Sequence, residues 1–128
     1  MKPKYIILHT AGVNRDVNAH EIRSWHTSMG WRDIGYHYVV RYDGTIEGGR
    51  PDDERGAHCT SMGMNSKSIG ICFSGHGDLN DWTERQQDEG LVCIKQLMDH
   101  YEIPAENVLG HRETGAKKSC PGKLIDMD

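Results

Sequence analysis

Three residues in this sequence of 128 have the types and positions to hold a metal ion: His9, His111 and Cys120. His9 ends the apolar run Tyr5–His9 (YIILH), and His111 ends Val108–His111 (VLGH). Chemistry in sheets with helical crossovers gathers beyond the carboxyl ends of strands, so both imidazoles are expected at one end of a sheet. Cys120 follows His111 by nine residues, enough for a loop to return a thiolate to the imidazole. Two nitrogens and one sulfur leave the fourth tetrahedral position of a zinc ion for water, as a catalytic site needs. Cys120 lies in KKSCPGK, where neighbouring cations favour thiolate, the form required of a metal ligand or a nucleophile. The spacing alone also permits a plainer arrangement of one buried histidine and two surface residues.

A framework must bring such residues together. Tyr5–His9 reads as a short buried strand. Asn18–Met29 reads as a helix: Asn18 caps it with Glu21 three residues on, Ile22, Trp25 and Met29 share a face, and Gly30 closes it. Tyr36–Arg41 (YHYVVR) has the β-branched and aromatic content of a strand, and the Asp43–Gly44 turn leads to Thr45–Glu47 as a hairpin. Ser68–Ser74 (SIGICFS) predicts a central strand. Thr83 and Gln86 form a capping box for a second helix, which buries Leu91, Ile94, Met98 and Tyr101 and has Gly90 as a weak point. Strand, helix, hairpin, strand, helix, strand implies an α/β fold, a mixed central sheet flanked by helices.

Composition narrows the function classes. The length suits one domain, 1–128, and 36% hydrophobic residues suffice for one core. No run approaches the roughly 18 apolar residues of a membrane span. A net charge of −4 with scattered Lys and Arg argues against a nucleic-acid-coating surface. The start MKPKYIILHT lacks the apolar stretch and cleavage site of a secretory signal, so the expected compartment is the cytoplasm. Four cysteines without a C-x-x-C pair are expected to be thiols. Cys72 and Cys93, in apolar settings, read as buried ones.

The segments IILHTA, EIRSWHTSMGWRDIGYHYVVRYDGTIEGGR, NSKSIGICF and GHRETGAKKSCPG occur in this order. Together they resemble the zinc-dependent N-acetylmuramoyl-L-alanine amidases, the superfamily of phage T7-type lysozyme and the peptidoglycan recognition proteins. The resemblance spans about residues 5 to 122. It implies one zinc ion held by His9, His111 and Cys120, with Tyr36 and Lys118 as catalytic residues. It also implies hydrolysis of the amide between N-acetylmuramic acid and L-alanine, in a phage endolysin. The cytosolic wall-recycling branch carries a catalytic Glu after SIGI, where this chain has Cys72. That departure points to the tyrosine-dependent branch.

Other residues take lesser roles in this reading. His58 and Asn65 fall where the family's loops border the substrate groove and are expected to bind substrate, although Asn65 also suits shaping a turn. If Tyr36 faces the cleft, strand alternation turns His37 to the other side, in a structural role. Trp25, Trp31 and Trp82 suit stacking on sugar rings, with Trp25 better placed for the core. His20, His26, His76 and His100 read as surface or packing residues. Lys118 suits an oxyanion, whereas Lys117 reads as a solvated lysine.

Three other functions compete with an amidase. A non-catalytic peptidoglycan-binding module typically lacks the cysteine ligand. A regulator that binds the phage RNA polymerase would need an N-terminal extension. A glycosidase wants paired carboxylates, whereas Glu47, Asp52, Asp53 and Glu54 read as solvated. The expected partner is peptidoglycan, with no nucleic acid and no membrane, and the chain is expected to be a monomer. Only eight residues follow Cys120, where relatives continue into another helix, and no wall-binding domain is expected. Thin Gram-negative murein is the expected target, reached after a separate membrane-permeabilising protein releases the enzyme.

Overall fold

A computed structural model describes residues 1–78 and 81–114. Five strands form one sheet: β1 (Tyr5–Thr10), β2 (Tyr38–Val40), β3 (Ile46–Gly48), β4 (Ser68–Phe73) and β5 (Val108–Gly110), in the order β3-β2-β4-β1-β5. β4 runs parallel to β1 and β2, β5 parallel to β1, and only the β2–β3 hairpin is antiparallel. This is the expected mixed α/β sheet, and β4, buried at every residue, is indeed internal.

Side-chain alternation divides the apolar residues between the two faces. Ile6, Leu8, Val40, Ile69, Ile71 and Phe73 pack under α2 (Glu84–Tyr101), against its Cys93 and Leu97. Val39 and Cys72 pack on the other face under α1 (Ala19–Ser28), with Ala19, Ile22, Val17 and Ile34. A smaller cluster on that second face joins Ile7 to Cys59 and Met64, beside the 3-10 turn Ser61–Ser66. Among the described residues no helix is long and apolar enough to cross a membrane.

Both helix starts follow their capping residues. Asn18 Oδ1 accepts the Glu21 amide at 2.8 Å, but the Glu21 carboxylate pairs with Arg15 at 2.8 Å. The full capping box forms at Thr83 and Gln86. The expected buried faces need correction at two residues. Met29 is 60% exposed because α1 has ended at Ser28, and Leu91 is half exposed while Cys93 and Leu97 turn inward.

Gly90 is not a weak point. It is buried, and a Cβ there would lie 2.7 Å from the Phe73 ring. The bare backbone lets α2 settle directly onto an aromatic of the central strand.

Candidate active site

The register of β1 and β5 sets the centre of the site. Leu8 pairs with Gly110, so the next residues, His9 and His111, stand side by side where the parallel strands end. Their ring centroids are 4.7 Å apart, and both side chains are buried. His111 opens the 3-10 turn His111–Thr114. That turn is fixed by Glu113 Oε1, which accepts the Gly110 amide at 2.8 Å, and by the Thr114 hydroxyl, which donates to the His111 carbonyl at 2.7 Å.

Tyr36 completes the described part of the site, with its ring 5.1 Å from His9 and 5.6 Å from His26. His26, read from the sequence as a surface or packing residue, supports it. Its Nδ1 accepts the Gly35 amide at 2.9 Å, and the Trp31 ring packs against it, tilted by 48°, with centroids 4.4 Å apart. A line of rings thus runs from His9 through Tyr36 and His26 to the partly exposed Trp31. Trp25 is half-buried on the α1 core. Trp82 stacks on Phe73 at 3.9 Å, on the opposite face of the sheet from His9.

Tyr36 and His37 do not part to opposite faces as strand alternation predicts. His37 still donates its amide to the Gly70 carbonyl of β4 at 2.9 Å, so it is Tyr36, before that bond and outside β2, that departs from alternation. His37 lies on the His9 side, its ring 5.8 Å from His58. Its Nδ1 accepts the Gly70 amide at 3.0 Å, which leaves the hydrogen on Nε2 to be donated to the Glu54 carbonyl at 2.7 Å. Burial, opposed by that carbonyl, holds the His37 pKa below the usual histidine value. Burial and then Arg50 do the same to His26.

Arg50 is a buried cation that sequence reasoning did not single out. Its guanidinium donates to the Ile34 carbonyl at 2.7 Å and the Arg55 carbonyl at 2.8 Å. It therefore ties the backbone just before Tyr36 to the loop at Arg55.

His58 and Asn65, expected at the rim of a groove, are both buried. Asn65 Oδ1 accepts the amides of His58 and Cys59 at 2.8 and 2.7 Å, which is the turn-shaping role. His58 sits behind His9, its Nδ1 2.9 Å from His9 Nε2 and its Nε2 3.3 Å from the Ser68 hydroxyl. Burial above all, reinforced by His37, pushes the His58 pKa down to about 3, so the ring is neutral near pH 7.

The acidic residues are not merely solvated. Asp52 accepts the hydroxyls of Tyr38 and Tyr101 at 2.5 and 3.0 Å. Glu47 accepts the Ala19 amide at 2.8 Å, and Glu54 pairs with Arg32. Each has a structural partner, and none faces a second carboxylate across a cleft in the manner of a glycosidase pair. Cys72, paired in register with His9, is wholly buried in the α1 core, so β4 offers no carboxylate base there. Cys93 is a buried thiol, its pKa raised by burial to about 11.

Two imidazoles at adjoining strand ends are a suitable part of a zinc donor set. Among the described residues no three His, Cys, Asp or Glu side chains are grouped to hold a metal by themselves. Cys120 and Lys118 lie outside the described residues.

Similarity to known proteins agrees with this arrangement. The family model described as N-acetylmuramoyl-L-alanine amidase matches residues 1–123. The endolysin of Klebsiella phage KP32 is 50% identical over 111 residues, covering 83% of this chain and 70% of that protein. Peptidoglycan-recognition protein SC2 of Drosophila melanogaster is 35% identical over 128 residues, covering 94% of this chain and 68% of that protein. Among solved structures, the N-acetylmuramoyl-L-alanine amidase LysC from Clostridium intestinale URNW superposes with a TM-score of 0.89 at 30% identity, covering 98% of this chain and 80% of its own. A family model that spans nearly the whole chain, met by a matching fold, settles the assignment: the chain belongs to the N-acetylmuramoyl-L-alanine amidase family and is a peptidoglycan amidase.

Proposed function

We propose that the chain acts as a phage endolysin, cutting the amide between the lactyl group of N-acetylmuramic acid and L-alanine with one zinc ion held by His9, His111 and Cys120. The observation that carries this reading is the adjacency of His9 and His111 at the ends of β1 and β5, with Tyr36 against His9. When bound, zinc supplies Lewis acidity, which polarises the amide carbonyl and lowers the pKa of water toward neutrality.

The chain's own residues do the rest. Tyr36, braced by His26, donates its phenolic hydrogen to the oxyanion that forms as the amide carbonyl becomes tetrahedral. Lys118 is assigned the stabilisation of the same oxygen by its positive charge. The Trp31 edge of the ring line offers an apolar surface on which a sugar ring can stack. His58 and Asn65 act from behind, Asn65 by holding the backbone of His58 and His58 through His9. The protein works as a monomer, is stored in the host cytoplasm, and reaches murein once the membrane is breached. Its endolysin relatives support that setting.

Digestion of purified murein tests the reaction. New amino groups of L-alanine without new reducing ends are expected, and the reverse pattern would overturn the reading. A chelator is expected to abolish activity and zinc to restore it. Cys120→Ser and His111→Ala should each lose most bound zinc by elemental analysis, and near-full occupancy in either removes that residue from the ligand set.

A further inference from the structure

We infer that His58 is a positioning residue that holds His9 in one tautomer, with its hydrogen on Nε2 and its Nδ1 lone pair presented to the metal. This rests on the reading of His9 as a zinc ligand.

The direction of a short hydrogen-bond chain carries the inference. The chain ends on the Met64 carbonyl, which can only accept, so the Ser68 hydroxyl donates to it at 2.7 Å. Ser68 Oγ has no second hydrogen and must accept from His58 Nε2 at 3.3 Å. The His58 ring is buried and forms no ion pair with a carboxylate among the described residues, and a buried imidazole without such a partner stays neutral. With its one hydrogen on Nε2, its Nδ1 is an acceptor. The 2.9 Å contact to His9 Nε2 is then a hydrogen bond donated by His9. A neutral imidazole protonated on Nε2 keeps its lone pair on Nδ1. A metal-binding histidine commonly donates its other ring hydrogen to an outer acceptor, which fixes ring orientation and raises ligand basicity.

The protein also makes room for this ring specifically. A Cβ on Gly70 would lie 2.5 Å from His58 Cγ, and one on Gly56 would lie 2.5 Å from His58 Cδ2. The two bare backbones form a slot for the imidazole, one from β4 and one from the preceding loop. Asn65 fixes the slot's height by accepting the His58 amide. His58 is 8% exposed, so its ring meets His9 and Ser68, with little surface left for substrate.

Long-range 1H–15N correlation spectra of the zinc-free and zinc-loaded protein read the tautomers directly. The expected result is Nε2–H on both His58 and His9 in each state. An Nδ1–H signal on His58, or a metal-bound shift on His58 Nδ1, would overturn the proposal. Zinc competition against a chromophoric chelator gives a second readout. His58→Leu should weaken zinc binding by about 10–100-fold, while His58→Asn, whose side-chain oxygen replaces the Nδ1 acceptor, should stay within about threefold by the same reasoning. A leucine variant that binds zinc as tightly as the parent counts against the idea, as does an asparagine variant no better than leucine. If the parent binds no zinc, the metal-site reading fails, while the zinc-free spectra still decide the tautomer.

Discussion

In the proposed mechanism the phenol of Tyr36 acts on the developing oxyanion, and its ring lies against His9 and His26. Replacing it by phenylalanine keeps the ring packing and removes only the hydroxyl. Tyr36→Phe is therefore expected to lower kcat on murein about 10²–10³-fold, the usual effect of losing one oxyanion donor, with zinc content unchanged. Steady-state hydrolysis beside elemental analysis separates the two quantities. A loss of zinc with the activity would show that the hydroxyl supports the ligands instead. At this scale, the residue types at positions 9, 36 and 111 were readable from strand ends and motif. The roles of His26 and Arg50 were not, because each acts through a contact with backbone well along the chain. Gly35 is nine residues from His26, and Ile34 is sixteen from Arg50. Such pairings leave no periodicity or spacing to detect.

Among the elements, α2 shows how a local rule can mislead. Glycine in a helix interior costs about 1 kcal/mol relative to alanine, so Gly90→Ala looks like a route to greater stability. Against the Phe73 ring the added methyl would sit at 2.7 Å, and overpacking of that kind costs about 1–3 kcal/mol. The variant is expected to be no more stable than the parent, and less stable by up to about 2 kcal/mol on these figures. Urea denaturation measures it, and a clear gain would mean that the helix can shift on the sheet. Strand existence and type were legible from composition, whereas the start of β2 was not. That boundary decides where Tyr36 points, since Tyr36 precedes the His37–Gly70 backbone bond with which the pairing to β4 begins.

For the whole molecule, the buried ionisable groups set a pH profile. His26 and His37 have folded-state pKa values below that of an unfolded histidine, chiefly through burial. The unfolded chain then binds more protons than the folded one as pH falls through about 6.5. Their contribution is full above that pH and is lost on acidification. A second loss is expected lower down. Burial raises the Asp16 pKa, but hydrogen bonds from Arg41 and the Tyr42 amide outweigh it and hold the carboxyl below its usual value. Its contribution is present above about pH 4 and disappears as pH falls through the folded value. Denaturant midpoints of the metal-free protein should fall between pH 7.5 and 5.5 and again below about 4. A flat profile over the first interval would contradict the buried neutral histidines, and Asp16→Asn should shrink the second loss, to which Asp33, also held below its usual value, contributes as well.

The sequence by itself determined the element types, the order of strands and helices, and the ends of β1 and β5 as the places for His9 and His111. Those features are written in local hydrophobic runs, capping residues and a motif that survives without coordinates. Only the tertiary structure decided which residues stand behind the site. The parallel register of β1 and β5 puts the two imidazoles side by side. Gly70 on β4 and Gly56 in a loop open a slot for His58, and the Ser68 hydroxyl orients the imidazole's hydrogen. These relations depend on pairing and close packing between segments distant in the chain, and such contacts are fixed only when the sheet has formed.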